Sequence, residues 1–442
     1  MIGTLAAMLL FAATPPREAP GSAPLPSAPG PCDALARSGQ IDKAIACYKG
    51  LMAKNPTDAD AGNALAALYA EKGDYAMSLK TFDAVLAKHP GDPIALNGRA
   101  VALFGAKKIE EGFAALEVAI KADPNNAQAV DNLGRLALEH EKLDVAESCF
   151  SHILDVHPDD QPATLGMAEL RLQQNRKSDA RELLTRAVEL DPKDPRANWL
   201  LGKVIAQESS ADAQPYLARA ATLAPDAPEV WYDLGLVALD SGDASGAGHA
   251  FTQAAVLSPN DPKPWLQLGK VWLAMGRWTD AIKHFDIALK HDPEPDVAAN
   301  IHFHYAIALE HLGRAKEAEE HYLKAIALRK NFVLAQMNLG ALYLQEKRSG
   351  DAQRQLRAAA EAAPDQGSVH FNLGLAYLQA GDETAGKAEL AKAVKLLPED
   401  SPVRARAIDV MEGRASVKGG GIDPATAEKK SDRPTVVPPR TP

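Results

Sequence analysis

The chain has 442 residues, of which 24% are charged, and a formal net charge of −10 at pH 7. This acidic balance argues against a nucleic acid as the partner, because proteins that bind its phosphates present clusters of basic side chains. No segment approaches the ~18–20 consecutive apolar residues that a membrane-spanning helix needs, so we do not expect a transmembrane protein.

The N-terminal segment is an apolar run from Ile2 to Ala13. Residues 1–13 are therefore predicted to be a possible signal peptide, although neither Lys nor Arg precedes the run. The alternative is a hydrophobic N-terminus without a targeting role. A Pro/Ala-rich stretch at 14–31 is predicted to be a linker. We therefore expect an exported protein, periplasmic or extracellular, rather than a cytoplasmic one.

Prolines then recur at a nearly constant spacing through the body of the chain. The period is 34 residues, with one spacing of 33 and one of 37, where Lys330 takes the place of the proline. The prolines of this series are Pro56, Pro90, Pro124, Pro158, Pro192, Pro225, Pro259, Pro293, Pro364 and Pro398. A fixed period of this length is typical of a solenoid of stacked units. It predicts an array of about eleven repeats over residues 32–400.

Within each repeat, large and small residues fall at fixed positions when the terminal proline is counted as position 32. In one repeat, Trp265 is at position four, Gly269 at eight, Ala281 at twenty and Phe285 at twenty-four. Small residues let two helices approach closely, and the large ones fill the space beside them. The pattern resembles that of the tetratricopeptide repeat family, whose unit is a 34-residue helix–turn–helix. The resemblance implies an all-α, right-handed superhelical solenoid in which each hairpin covers its neighbour.

Three places depart from this pattern. The first repeat has Pro31 and Cys32 where Leu and Gly are usual, so its first helix is expected to be truncated. A three-residue insertion within residues 294–298 is expected to give a longer connection before the ninth repeat. After the last repeat, residues 401–414 are predicted to form a capping helix with its arginines outward, and residues 415–442 are predicted to be a disordered tail.

The three cysteines have different expected roles. Cys32 and Cys47 belong to the two helices of one hairpin. A disulfide between them is plausible in an exported protein, and the alternative is a pair of small buried residues. Cys149 is predicted to be a packed core thiol.

Sequence motifs give no indication of catalysis. The chain has no phosphate-binding glycine loop before a helix, no CxxC and no HExxH. His302, His304, His311 and His321 are interpreted as surface and groove histidines rather than as metal ligands. We therefore predict no catalytic residue, no cofactor and no metal, and hence no enzyme.

The resemblance further implies that the first helices line a concave groove. Its candidate partner-binding residues lie at positions five and six of the later repeats: Trp199, Tyr232, Phe303, His304, Met337, Asn338, Phe371 and Asn372. A line of large apolar side chains beside amides suits an extended or helical peptide. The alternative is that these side chains pack against the neighbouring first helix.

The expected function is therefore a non-catalytic scaffold that binds protein or peptide partners in its groove, in a bacterial envelope or secretion assembly. An alternative is a regulatory or substrate-recognition subunit of a separate enzyme such as a glycosyltransferase, suggested by asparagines at position six. Direct binding of carbohydrate by the aromatic side chains is a third hypothesis. The sequence predicts neither the partner's identity nor the oligomeric state.

Overall fold

A computed structural model describes residues 30–123 and 126–415. These residues form 23 helices and no strand. The helices are α1 Pro31–Arg37, α2 Ile41–Lys54, α3 Ala59–Glu71, α4 Tyr75–Leu86, α5 Pro93–Gly105, α6 Ile109–Ala122, α7 Ala127–Glu139, α8 Leu143–Val156, α9 Gln161–Gln173, α10 Lys177–Leu190, α11 Pro195–Ile205, α12 Ser210–Leu223, α13 Pro228–Asp240, α14 Ala244–Leu257, α15 Pro262–Ala274, α16 Trp278–Leu289, α17 Pro295–His311, α18 Ala315–Leu328, α19 Val333–Gln345, α20 Ser349–Ala362, α21 Gly367–Gln379, α22 Glu383–Leu396 and α23 Pro402–Met411.

The helices α1 to α22 follow one another as eleven hairpins, numbered one to eleven here, so the predicted all-α array of about eleven repeats is confirmed. The chain divides into two compact units, Met1–Leu201 and Gly202–Pro442, and the division falls inside α11. The predicted signal peptide, residues 14–29 of the predicted linker and residues 416–442 of the predicted tail lie outside the described residues. Among the helices of the described part, none is both long and apolar enough to cross a membrane.

Each hairpin closes on a small residue of its first helix. Gly269 on α15 faces the ring of Phe285 on α16 so closely that an added Cβ would lie 2.1 Å from Phe285 Cε1. Gly235 and Phe251 meet in the same way in hairpin seven. On the second helix the alanine at position twenty, such as Ala281, is fully buried. The small and aromatic positions of the sequence pattern are therefore the contact between the paired helices.

Helix ends follow from local chemistry. Asp58, Asp92, Asp194 and Asp261, which stand just after a terminal proline, each accept a backbone N–H from the first turn of the next helix. Such capping satisfies donors that the helix itself leaves unpaired. Between α15 and α16, Gly276 has φ 72°, a left-handed conformation that glycine adopts without steric cost.

The side chain at position four ties a hairpin to the end of the preceding one. In five hairpins its N–H faces the carbonyl oxygen of the terminal residue six positions earlier, at 2.8–3.1 Å. The pairs are Asn198 with Pro192, Trp231 with Pro225, Trp265 with Pro259, Gln336 with Lys330, and His370 with Pro364. Each bond satisfies a carbonyl that the helix before it has left without an intrahelical partner.

The departures from the repeat pattern have clear structural outcomes. The first helix of hairpin one is short, with seven residues. The insertion before hairpin nine lengthens the connection by only one residue: the link 290–294 has five residues, where most hairpins are joined by four. Most of the extra residues extend the first helix, so that α17 has 17 residues. Proline at its first turn and the helix-forming residues that follow are compatible with this extension.

The C-terminal helix α23 covers the last hairpin. It buries Val403, Ala407 and Val410, while Arg404 donates to the carbonyl of Val394 at 3.0 Å. The guanidinium of Arg406 lies 5.9 Å from the ring centroid of Phe371. The apolar side of hairpin eleven is thus closed by a helix with a polar outer surface, as a repeat array requires.

Candidate functional site

First helices of consecutive hairpins touch each other directly within both units, as α3 does with α5 and α15 with α17. They therefore lie side by side and form one face of each unit. Residues at positions five, six, nine and twelve of the first helices belong to this face. The candidate site is the part of this face in the second unit, Gly202–Pro442, that keeps solvent contact.

The structure does not present the predicted residues as an open aromatic stripe. Met337 and Phe371 are fully buried and Phe303 is 7% exposed. Asn338 and Asn372 are also buried. Of the eight predicted residues, the half-buried ones are Tyr232 and His304 in the second unit and Trp199 in the first.

These side chains are buried because positions five and six pack against their own and neighbouring hairpins. The ring of Phe303 lies 5.0 Å from that of Phe332 and 6.1 Å from that of Tyr322. Asn338 donates an amide N–H to the hydroxyl of Tyr322 at 3.3 Å. Phe303, Met337 and Phe371 thus belong to one continuous core with Tyr322. The alternative that the sequence left open was packing against the neighbouring first helix; the contacts of Phe303 and Asn338 are instead with Tyr322 on a second helix and with Phe332 just before α19.

Half-buried side chains at these positions lie mostly in hairpins seven to nine, with Leu378 of hairpin eleven as a further one. Two of those in hairpins seven to nine are carboxylates, Asp233 and Glu310. We call the others the inner patch: Tyr232, Leu236, Leu239, Lys270, Leu273, His304 and Ile307. Its apolar members pack on the hairpin cores below and still keep part of their surface open. A contiguous surface of this kind on a repeat protein is typical of an interaction site.

Lys270 is the charged residue at the centre of the inner patch. Burial lowers the pKa of its ammonium group, because the crowded surroundings disfavour the charged form. Among the described residues no carboxylate lies within ion-pair distance of it, whereas Lys203, at the same repeat position in hairpin six, lies 3.3 Å from Asp233. The repeat pattern did not indicate Lys270 as a site residue. The signal that the sequence offered is a lysine at position nine of hairpin eight, where the adjacent hairpins have Leu236 and Ile307.

His304 lies beside Lys270 on the adjacent first helix. Burial and then the Lys270 charge lower the pKa of His304 to about 3, so that its imidazole is neutral at pH 7. Tyr232 accepts an N–H from Gln267 at 3.2 Å, and burial raises the pKa of its hydroxyl. The inner patch therefore combines apolar side chains, neutral polar groups and one cation that has no counter-ion in the described part of the chain.

The other candidate residues lie apart from this patch. Cys32 and Cys47 are joined in a disulfide within hairpin one, with their Cα atoms 5.5 Å apart, and Cys149 is buried as a free thiol. Over the described ranges, His, Cys, Asp and Glu form no group of three or more that could hold a metal ion. His311 stacks on Trp278 with ring centroids 4.0 Å apart, and His302 faces His321.

The stacked helical hairpins define the chain as a helical repeat protein. Family models described as tetratricopeptide repeat match residues 33–93, 63–127, 137–204, 204–262, 266–332 and 337–401. These matches cover most of the chain, which therefore belongs to the tetratricopeptide repeat family.

Comparison with known proteins gives one curated relative and several solved structures. "Cellulose synthase operon protein C" of Pseudomonas fluorescens (strain SBW25) is 26% identical over 163 residues, which cover 35% of this chain and 13% of that protein. The chain thus spans a small part of that relative. Yeast Tom70 is 18% identical, with 87% of this chain and 94% of that chain covered and a TM-score of 0.41. PilF of Pseudomonas aeruginosa is 19% identical, with 46% and 92% covered and a TM-score of 0.40.

Proposed function

We propose that the chain is a non-catalytic scaffold that binds a polypeptide partner through the inner patch of the second unit. The observation that carries the proposal is Lys270, a partly desolvated ammonium group without a carboxylate partner among the described residues, on the same face as half-buried Leu, Ile and Tyr side chains. A cation removed from water costs free energy unless a negative group lies next to it. A partner that brings a carboxylate would supply that group.

The chemistry of the inner patch suggests what the partner looks like. Leu236, Leu239, Leu273 and Ile307 offer contacts for apolar side chains, and Lys270 offers one for an Asp, a Glu or a chain-terminal carboxylate. We therefore expect an extended or helical segment that carries an acidic group next to apolar residues. Steering by charge would add to the rate of encounter more than to the final affinity.

We propose a non-catalytic protein because helical hairpins take up nearly all of the described residues. Eleven hairpins and one capping helix account for residues 31–411 of the described region. The positions that define the repeat are occupied by helix contacts, as at Gly269 and Phe285. The sequence also lacks the motifs that would indicate a nucleotide, metal or nucleophile site.

A displayed library of random peptides tests the proposal, because it samples many partner chemistries at once. The baits are the full chain, its Lys270→Glu and Leu273→Ala variants, and Lys290→Glu, which reverses the charge of an exposed lysine at the end of the second helix α16, away from the inner patch. We expect the wild type and Lys290→Glu to enrich the same peptides, each with an acidic residue beside apolar ones. Binding of those peptides to Lys270→Glu should be weaker by ~10-fold or more, since breaking a desolvated charge pair costs upwards of ~1.4 kcal/mol.

Two results would contradict this function. One is a wild-type selection that yields no common peptide pattern. The other is the same set of peptides recovered with equal affinity on Lys270→Glu and Lys290→Glu. Helical circular dichroism of each variant must match the wild type, so that loss of binding is not loss of fold.

A second candidate function is that of a subunit that regulates a separate enzyme, such as a glycosyltransferase, or recognises its substrate. It is favoured by the similarity over 163 residues to a protein named for a cellulose synthase operon. Capture of the chain from its native membrane and soluble fractions, followed by assay of the captured material for sugar transfer, tests it. Co-purifying transferase activity would support this candidate, and its absence together with a defined peptide ligand would favour the scaffold. Titration with soluble polysaccharides, followed by tryptophan fluorescence, tests direct binding of carbohydrate.

We also propose that the protein is exported to the periplasm or the exterior of a bacterial cell. The apolar run before residue 14 and the Cys32–Cys47 disulfide support this, because disulfides persist in oxidising compartments. Cell fractionation with N-terminal sequencing of the mature chain tests it. An intact N-terminus and two free thiols in a cytoplasmic fraction would overturn it.

A further inference from the structure

Hairpin nine lacks the hydrogen bond that the side chain at position four makes to the preceding terminal carbonyl in five other hairpins. His302 occupies this position, but the residue six places earlier is Asp296, which lies inside the extended helix α17. The carbonyl oxygen of Asp296 accepts an N–H from Nη2 of Arg329 at 3.0 Å instead. The insertion has therefore removed the usual acceptor, and the imidazole of His302 is available for another contact.

That contact is a second histidine. Nδ1 of His302 on α17 lies 3.2 Å from Nδ1 of His321 on α18. The ring of Tyr305 stacks on His321 with centroids 4.0 Å apart, and its hydroxyl donates to Asp286 at 3.1 Å. The His321 ring is thus held in place from one side while its Nδ1 points at His302. Both histidines are half-buried and keep part of their surface open to solvent.

Both imidazoles are neutral at pH 7, which is the form that binds metals. Burial lowers the pKa of His302, with a smaller effect of the Lys324 charge. Burial and the neighbouring His302 lower the pKa of His321 to about 4. In the metal-free state one Nδ1 carries a proton, and this N–H donates a hydrogen bond to the lone pair of the other Nδ1.

We propose that His302 and His321 form a binding site for a divalent transition metal ion of the zinc, nickel or copper class. Imidazole nitrogens bind Zn²⁺ at ~2.0–2.1 Å, and tetrahedral geometry then separates the two nitrogens by ~3.3 Å. The observed 3.2 Å is close to that separation. The proton of the donating Nδ1 moves to Nε2 of the same ring when the ion binds, so no net proton is released. Water fills the remaining coordination positions.

The donor atoms of the pair, and not the surrounding charges, determine which ions it binds. Lys324 and Arg314 lie near His321, and Arg314 is paired with Glu317. These positive groups oppose any cation, so the ion is held by its bonds to nitrogen and not by the surrounding field. Hard ions such as Ca²⁺ and Mg²⁺, which prefer oxygen ligands, should therefore not bind here. With two protein ligands, the affinity should lie well below that of a four-ligand structural zinc site.

Titration calorimetry on the full chain tests this site. The protein carries no affinity tag and is dialysed against EDTA, and the titrants are ZnCl₂, NiCl₂ and CaCl₂. The variants are His302→Gln and His321→Gln, with His284→Gln as the matched control. His284 is at the repeat position in hairpin eight that His321 has in hairpin nine. Its Nδ1, however, contacts the carbonyl oxygen of Asp280 at 2.8 Å and faces no second histidine.

We expect one saturable site for Zn²⁺ and Ni²⁺ in the wild type and in His284→Gln, and no saturation with Ca²⁺. Affinity should fall at least ~10-fold in each of His302→Gln and His321→Gln, since each change removes one of two ligands. With Cu²⁺, electron paramagnetic resonance should show hyperfine splitting from two nitrogens, reduced to one in either variant. Absence of a saturable site in the wild type would overturn the proposal. So would equal binding by His302→Gln, His321→Gln and His284→Gln, because the pair would then be only a neutral hydrogen bond.

Discussion

Substitution of Gly269 by alanine tests the packing between paired helices most directly. A Cβ at this position would lie 2.1, 2.5 and 2.7 Å from three ring atoms of Phe285, which is fully buried. Ordinary carbon contacts are ~3.5–4.0 Å, so the two helices must move apart or the ring must leave its position. Overpacking of a core costs ~1–3 kcal/mol, and this overlap belongs at the upper end. Alanine recovers ~1 kcal/mol of helix propensity, which leaves a net loss of ~2 kcal/mol.

Gly248 on α14 provides the matched control. It also lies within a helix of the second unit, but an added Cβ would meet its nearest neighbour, Val271 Cγ1, at an ordinary 3.7 Å. Gly248→Ala should therefore gain ~1 kcal/mol from helix propensity alone. At ~2–4 °C per kcal/mol, the two variants should differ in Tm by about 6–12 °C, as measured by calorimetry on the full chain. If Gly269→Ala were as stable as Gly248→Ala, the close approach of α15 and α16 would not govern stability at this position.

Three other predictions concern a hydrogen bond, a disulfide bond and the half-buried imidazole of His304. Trp265→Phe keeps an aromatic ring but removes the N–H that faces the terminal carbonyl, and should cost ~0.5–1.5 kcal/mol in urea unfolding; an unchanged midpoint would show that water replaces the bond without loss. Mass spectrometry without reduction should find the peptide that spans Cys32 and Cys47 two hydrogens lighter than the dithiol, and two free thiols would contradict the disulfide. Reduction should destabilise hairpin one by ~3 kcal/mol, the value expected for a 15-residue loop. Because the pKa of His304 is lowered to about 3 in the folded state, the unfolded chain takes up its proton first as pH falls below ~6.5. Stability is thus lost from pH ~6.5 downward, and the Tm of His304→Gln should fall less over pH 7 to 4 than that of the wild type; parallel curves would refute the shifted pKa.

The sequence by itself determined the hairpins, because their causes are local and repeated. A glycine or alanine at positions eight and twenty, an aromatic residue at twenty-four and a capping aspartate after the terminal proline act within one or two neighbouring elements. Gly269 with Phe285 and Asp261 at the start of α15 show this directly. The number and order of repeats could therefore be predicted from the spacing of the terminal prolines together with the repeated small and aromatic positions, which also cover the repeat that ends at Lys330.

Only the tertiary structure decided which side chains of the first helices remain accessible. Met337 and Phe371 share their position with Tyr232, yet the first two are buried and the third is half-buried. Position in the repeat fixes the direction of a side chain, but its burial depends on what the neighbouring hairpins and the capping helix place against it. The sequence pattern did not indicate Lys270 for the same reason, since whether a described carboxylate lies near its ammonium group depends on neighbours far away in sequence.

The insertion before hairpin nine shows that the sequence pattern also could not predict the local backbone structure there. Spacing alone revealed three extra residues but not whether they join a loop or a helix, because both are locally acceptable. By extending α17, they removed the acceptor that position four uses in other hairpins and brought His302 to His321. A repeat pattern specifies the contacts that every unit makes, whereas a contact that arises where one unit differs depends on the packed arrangement around it.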